Sequence, residues 1–87
     1  MFDQSAYSVP LSPPPSVTPP YCRLRIKVIP HMLFRLLERI VYVWLHDGSG
    51  AWVYPLAVDE WLVYGYCWME GAWFPCEFPW SEINNIY

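Results

Sequence analysis

The sequence predicts a small α+β domain: a curled antiparallel sheet of four to five strands, SH3-like or a simple meander, with one short helix and an extended proline-rich N-terminal arm. Three observations carry this. Apolar residues alternate with polar ones at a period of two from Tyr21 onward, and Asp-Gly and Glu-Gly pairs punctuate the alternation. Helical spacing appears once before the C-terminal residues, after Pro30. Six of the ten prolines fall within residues 1–21, which leaves 22–87 as the folded domain.

The arm contains Ser12-Pro13-Pro14-Pro15-Ser16 and Thr18-Pro19-Pro20. Proline fixes φ and pushes the preceding residue toward extended geometry, so polyproline II or disorder is expected. In Tyr21 to Ile29, Cys22, Leu24, Ile26 and Val28 alternate with Arg23, Arg25 and Lys27, a half-buried strand with a basic outer face. Pro30 suits a first helical turn, and Leu33, Leu36, Leu37 and Ile40 recur at helical spacing, so the helix is placed at about Pro30 to Arg39.

From Ile40 the period is two again. Ile40–His46 and Ala51–Leu56 flank Asp47-Gly48-Ser49-Gly50; centring the turn on Gly48-Ser49 pairs Leu45 with Trp52, Val43 with Tyr54 and Val41 with Leu56. Leu62–Trp68 and Ala72–Phe78 flank Glu70-Gly71. A two-residue loop there sets Met69 against Ala72, Cys67 against Phe74, Gly65 against Cys76 and Val63 against Phe78, an apolar core face. The opposite face then pairs Trp68 with Trp73, Tyr66 with Pro75 and Tyr64 with Glu77. Pro75 and Pro79 mark the last strand as an edge or as locally broken. Ser81-Glu82-Ile83-Asn84 reads as the start of a final helical turn.

Composition narrows the function classes. The chain is 55% apolar, 20% aromatic and 15% charged, which speaks against wholesale disorder. No uncharged stretch is apolar enough for a membrane helix, and no basic region precedes an apolar one as in a secretory signal. The net charge of −3 hides a segregation: every Lys and Arg lies between Arg23 and Arg39, while Asp47, Asp59, Glu60, Glu70, Glu77 and Glu82 follow. Opposite charges meeting across the folded domain explain this better than a nucleic-acid arm does. Three cysteines with no secretory context read as reduced thiols in the cytoplasm. A Cys67–Cys76 bridge is disfavoured, because diagonal neighbours about 7–8 Å apart exceed its reach.

No constellation carries catalysis. Cys22, Cys67, Cys76 and a histidine lack the tight ligand pairs of a small zinc site, so neither a metal nor any other cofactor is expected. His46, Asp47 and Ser49 share one turn, where a base cannot be oriented by one partner while it activates the other. The aromatics are more telling. Six tryptophans and seven tyrosines exceed what so small a core hides, and protein interfaces enrich for such residues. Tyr64, Tyr66, Trp68 and Trp73, with Glu77 for polarity, form the candidate protein-binding face. Arg23, Arg25 and Lys27 are the contacts for a nucleic-acid alternative, which the acidic remainder of the chain opposes. An obligate homodimer with a structural role is a further alternative. The chain also carries both halves of a polyproline-recognition pair: the arm either lies on that aromatic face, its own or a partner copy's, or is a free tail.

Val41–Leu45, Asp47-Gly48, Trp52, Tyr64-Gly65 and the closing Phe78-x-x-Ser81-Glu82-Ile83 give residues 40–86 a further reading. This stretch resembles a family of short uncharacterised domains carried by plasmids, conjugative elements and phages. Pro79 and Trp80 depart from the family's usual ending. The resemblance implies a fold and a phage or mobile-element setting; joined to the aromatic face, the expectation is a module that binds and modulates a host protein in the host cytoplasm. It implies no activity.

Overall fold

The computed structural model describes residues 12–20 and 30–87. These form a small α+β fold: a short helix α1 (Pro30–Phe34), then strands β1 (Val41–Leu45), β2 (Gly50–Val58), β3 (Leu62–Met69) and β4 (Ala72–Pro79), a 3-10 turn (Trp80–Glu82) and strand β5 (Ile83–Ile86). The five strands make one antiparallel sheet in the order β4-β3-β2-β1-β5. The strand expected over Tyr21–Ile29, with Arg23, Arg25 and Lys27, lies outside the described residues.

The helix is shorter than its apolar spacing predicts. After Phe34 the chain continues in turns, with Leu36 N donating to the Leu33 carbonyl at 3.0 Å and Arg39 N to that of Leu36 at 3.2 Å. Glu38 takes a left-handed φ of 61°, and its amide donates to the Pro55 carbonyl at 2.8 Å. A tertiary hydrogen bond to the sheet therefore takes the amide that a further helical turn would need. Leu33 is the anchor. It is buried in one cluster with Val41, Val43, Val53, Val63 and Ile83, against which Leu36, Val58, Cys67, Phe78 and Trp80 pack.

Three consecutive hairpins build the sheet from β1 to β4, and of the two whose register the sequence predicts only one has it. In β3–β4 all eight pairs run from Leu62↔Pro79 to Met69↔Ala72, as the two-residue loop requires. Glu70 and Gly71 have φ of 52° and 82°, the double positive φ of a type I′ turn. In β1–β2 the pairs are Val41↔Val53, Tyr42↔Trp52, Val43↔Ala51 and Trp44↔Gly50, three residues away from the predicted register. The cause is the connection. Asp47 Oδ1 accepts from both the Ser49 amide (2.8 Å) and its hydroxyl (2.6 Å), and Leu45 N donates to the Ser49 carbonyl at 2.8 Å. A side-chain-capped loop replaces the tight turn. The odd shift turns Trp52 and Tyr54 away from the valines and onto the other face.

Proline in a central strand needs an explanation. Pro55 pairs with Gly65 in β3, while β2 pairs with β1 only as far as Val53. Its missing amide is thus on a side where no strand of the described residues is paired, and the register shift at Leu56 follows at once. Gly65 is fitted to this crossing: a Cβ there would strike the Tyr54 carbonyl oxygen and come within 2.9 Å of the Pro55 Cα.

Three further expectations are corrected. Ile83–Ile86 is a strand, not helix: the helical turn is confined to Trp80–Glu82, and the chain then pairs with β1 through Leu45↔Ile83, Trp44↔Asn85 and Val43↔Ile86. The apolar face of the β3–β4 hairpin is core only at its base. Val63 is buried at 2% exposure, whereas Phe74 (44%) and Met69 (46%) stand exposed near the turn, because the hairpin projects past the rest of the sheet. Cys67 and Cys76 form a disulfide. They are diagonal neighbours, as expected, but their Cα atoms are only 5.9 Å apart, within the reach of the bond. The bridge fastens the strand pair where core packing runs out.

Candidate functional site

The side chains opposite the core form a second, almost wholly aromatic face. The registers place Tyr42 beside Trp52, Tyr54 beside Tyr66, Tyr66 beside Pro75, Trp68 beside Trp73 and Tyr64 beside Glu77. Strand alternation puts all of these on one side of the sheet. The five residues singled out from sequence, Tyr64, Tyr66, Trp68, Trp73 and Glu77, thus share a face. Glu77 is exposed and the four aromatics are half-buried. Sequence reasoning missed Tyr42, Trp44, Trp52 and Tyr54, which extend the face across β1 and β2. The signal that would have found them is alternation within each strand: Tyr42 and Trp44 alternate with Val41 and Val43, and Trp52 and Tyr54 flank Val53.

Two ring clusters organise the face. At the β3–β4 end, Trp68 and Trp73 meet edge to face with centroids 5.2 Å apart. At the other end, Tyr42 lies 4.8 Å from Trp44 and 5.1 Å from Trp52, edge to face with the latter. Gly50 makes room for this second cluster, since a Cβ there would fall 2.7 Å from Tyr42 Cε1 and 3.0 Å from Trp44 Cδ1. The ends differ in cover: Trp44 and its cross-strand neighbour Asn85 are buried, whereas Trp68 and Trp73 retain open surface.

The proline-rich segment reaches the open end. Trp73 Nε1 donates a 3.2 Å hydrogen bond to the main-chain carbonyl of Ser12. Pro14 and Pro19 are buried, while the other seven residues of 12–20 are exposed. This segment contains neither helix nor strand, only bends at Ser12, Ser16 and Val17.

Polar groups around the face mostly serve its frame. Asp59 Oδ1 accepts from the amides of Trp61 (2.8 Å) and Leu62 (2.7 Å), and Oδ2 accepts from the Tyr64 hydroxyl at 2.6 Å. The Tyr64 hydroxyl, then the two amides, hold the Asp59 carboxyl below its usual range. The same bond, with lesser help from desolvation and the Asp59 and Glu77 charges, pushes the Tyr64 hydroxyl up. Trp80 Nε1 donates to the Glu60 carbonyl at 3.0 Å, fixing the β2–β3 connection to the 3-10 turn.

An open hollow of about 310 Å³ lies beside the buried end of the face, lined by Trp44, Leu45, His46, Gly48 and Asn84. His46 is the one titratable side chain among the described residues that line it. Asp47 and Ser49, its neighbours in sequence, are bonded to each other in the loop, so no nucleophile, base and orienting group converge there. Among the described residues no three His, Cys, Asp or Glu side chains group as a metal site, and both disulfide sulfurs are occupied with each other. No helix of the described residues is long and apolar enough to cross a membrane.

Arg23, Arg25 and Lys27, the nucleic-acid candidates, lie outside the described residues. Comparison of the chain with protein-family models, with curated proteins and with solved structures found no significant match.

Proposed function

We propose that this chain is a non-enzymatic protein-binding module that works through the outer aromatic face of its sheet. The observation that carries the reading is the half-buried Trp68–Trp73 pair, held edge to face on a disulfide-braced hairpin. Large rigid rings of this kind give contact area at little cost in side-chain entropy, and Trp and Tyr dominate binding hot spots. The strand order, with β5 returning to β1 after a 3-10 turn, supports an SH3-like reading of the sheet. The resemblance of residues 40–86 to mobile-element domains supports a host protein as the partner. Reduced thiols would favour the cytoplasm. The Cys67–Cys76 bridge instead supports an oxidising compartment as the place of action.

The test is retention of partners from a host extract on the immobilised full chain, compared with a Trp68→Ala/Trp73→Ala variant of unchanged circular dichroism. A partner retained by the first and lost by the second is the expected result. Equal retention by both removes the face from the function. Light scattering over a dilution series reads the homodimer alternative directly, as a mass that falls with concentration.

A further inference from the structure

Resting on that reading of the face, we propose its partner class: the Trp68–Trp73 end is a receptor for proline-rich extended segments, and residues 12–20 are its resident occupant, displaced by an external segment of the same chemistry.

The contact itself specifies this chemistry. A proline-rich strand has few amides of its own, so its carbonyls are left without intrachain partners and point outward. An indole Nε1–H is a donor with no acceptor function, and Trp73 places it on one such carbonyl, that of Ser12. Pro14 follows two residues later. At about 3.1 Å per residue it lies within about 6 Å of the Trp73 contact, and it is buried although Pro13 and Pro15 on either side are exposed. A buried proline next to a carbonyl held by an indole is the combination that aromatic grooves use to read polyproline II. Five of the nine residues 12–20 are proline and none is charged, which suits a face on which Glu77 is the one charge at the paired positions of the described residues.

The attachment is shallow enough to exchange. Only Pro14 and Pro19 are buried, and Val17 between them is 74% exposed. A segment held this lightly stays in place mainly because it is tethered. Tethering supplies an effective concentration on the order of millimolar, which an external ligand must overcome. The arm is therefore a built-in competitor that sets a threshold for partners.

The test uses the full chain and one probe, the free nonapeptide Ser-Pro-Pro-Pro-Ser-Val-Thr-Pro-Pro copied from residues 12–20. The indole N–H signals of the six tryptophans are followed by NMR. In a Pro14→Ser/Pro19→Ser variant the Trp73 signal is expected to move from its wild-type position. The peptide should return it, half-saturating at a concentration at least about 10-fold lower than in the wild type. Added to the Pro14→Ser/Pro19→Ser variant, Trp73→Phe keeps a ring but removes the donor, and should weaken peptide binding several-fold as read at Trp68. A Trp73 signal unmoved by the double substitution, or a variant spectrum that millimolar peptide leaves unchanged, overturns the proposal. If the peptide is ignored while a host partner is still retained through Trp68 and Trp73, the proline preference falls and the binding-module reading stands. If the peptide binds and no partner is retained, the host-partner reading falls instead.

Discussion

The Tyr64 hydroxyl donates to Asp59 across the base of the β3 strand at 2.6 Å, while the other oxygen of the same carboxylate closes the turn that leads into that strand. One acid thereby ties the frame of the sheet to its aromatic face. Asp59 is held below its ordinary 3.8, so its contribution is present above that value and is lost as pH falls through the lower folded-state pKa. Tyr64 is held above its ordinary 10.0, so its contribution is present below 10.0 and is lost as pH rises through the higher folded-state value. In an ultraviolet titration of the phenols, Tyr64→Phe should remove a late-titrating tyrosine, and Asp59→Asn should move the Tyr64 transition earlier. A late transition that survives Tyr64→Phe refutes the assignment.

Removing the bridge should loosen the projecting hairpin. Closing a loop of nine residues' separation is worth about 2.5–3 kcal/mol on chain-entropy grounds. Cys67→Ser/Cys76→Ser should lower stability by about that amount in urea unfolding, and added reductant should destabilise the wild type and leave the double variant unchanged. Amide exchange should accelerate first near Trp68 and Trp73.

Gly65 and Gly71 separate two kinds of glycine requirement. Gly65→Ala sets a Cβ into the backbone of Tyr54 and Pro55, which cannot rotate away, so a loss of about 3 kcal/mol is expected. Gly71→Ala meets open space and has only its positive φ to bear, at about 1 kcal/mol. Denaturation midpoints of the two variants check the order, and equal losses would contradict the close approach at Gly65.

Leu33→Ala tests whether the short helix is part of the core. Leu33 is 3% exposed within the main cluster, and truncating a buried leucine costs about 2–5 kcal/mol. A loss below about 1 kcal/mol would mean that α1 is an ornament on an independently stable sheet.

What was legible in the sequence followed from how each turn is made. Glu70-Gly71 is a two-residue loop with both φ positive, so its chemistry alone fixed all eight pairs of β3–β4 and hence the face that holds Tyr64, Tyr66, Trp68 and Trp73. The Asp47 loop is set instead by a carboxylate that accepts two bonds from Ser49, a choice that residue types do not reveal, and the β1–β2 register went astray by three. The helix was overextended because the Glu38-to-Pro55 bond that ends it joins residues far apart in sequence. The disulfide is not legible because the ordinary diagonal separation of about 7–8 Å is longer than the 5.9 Å found between Cys67 and Cys76. Strand β5 was hidden by its length, since Ile83–Ile86 is too short to show a period.

Among the described residues β4 is an edge strand, and it carries Pro75 and Pro79, neither of which has an amide to offer. A second chain trying to lengthen the sheet from this side would meet gaps in the ladder, and growth into stacked fibrils is blocked there. Whatever binds beside Trp73 must therefore be recognised by its side chains and carbonyls, not recruited as a sixth strand, and a sticky aromatic surface is kept from becoming a seed for its own aggregation.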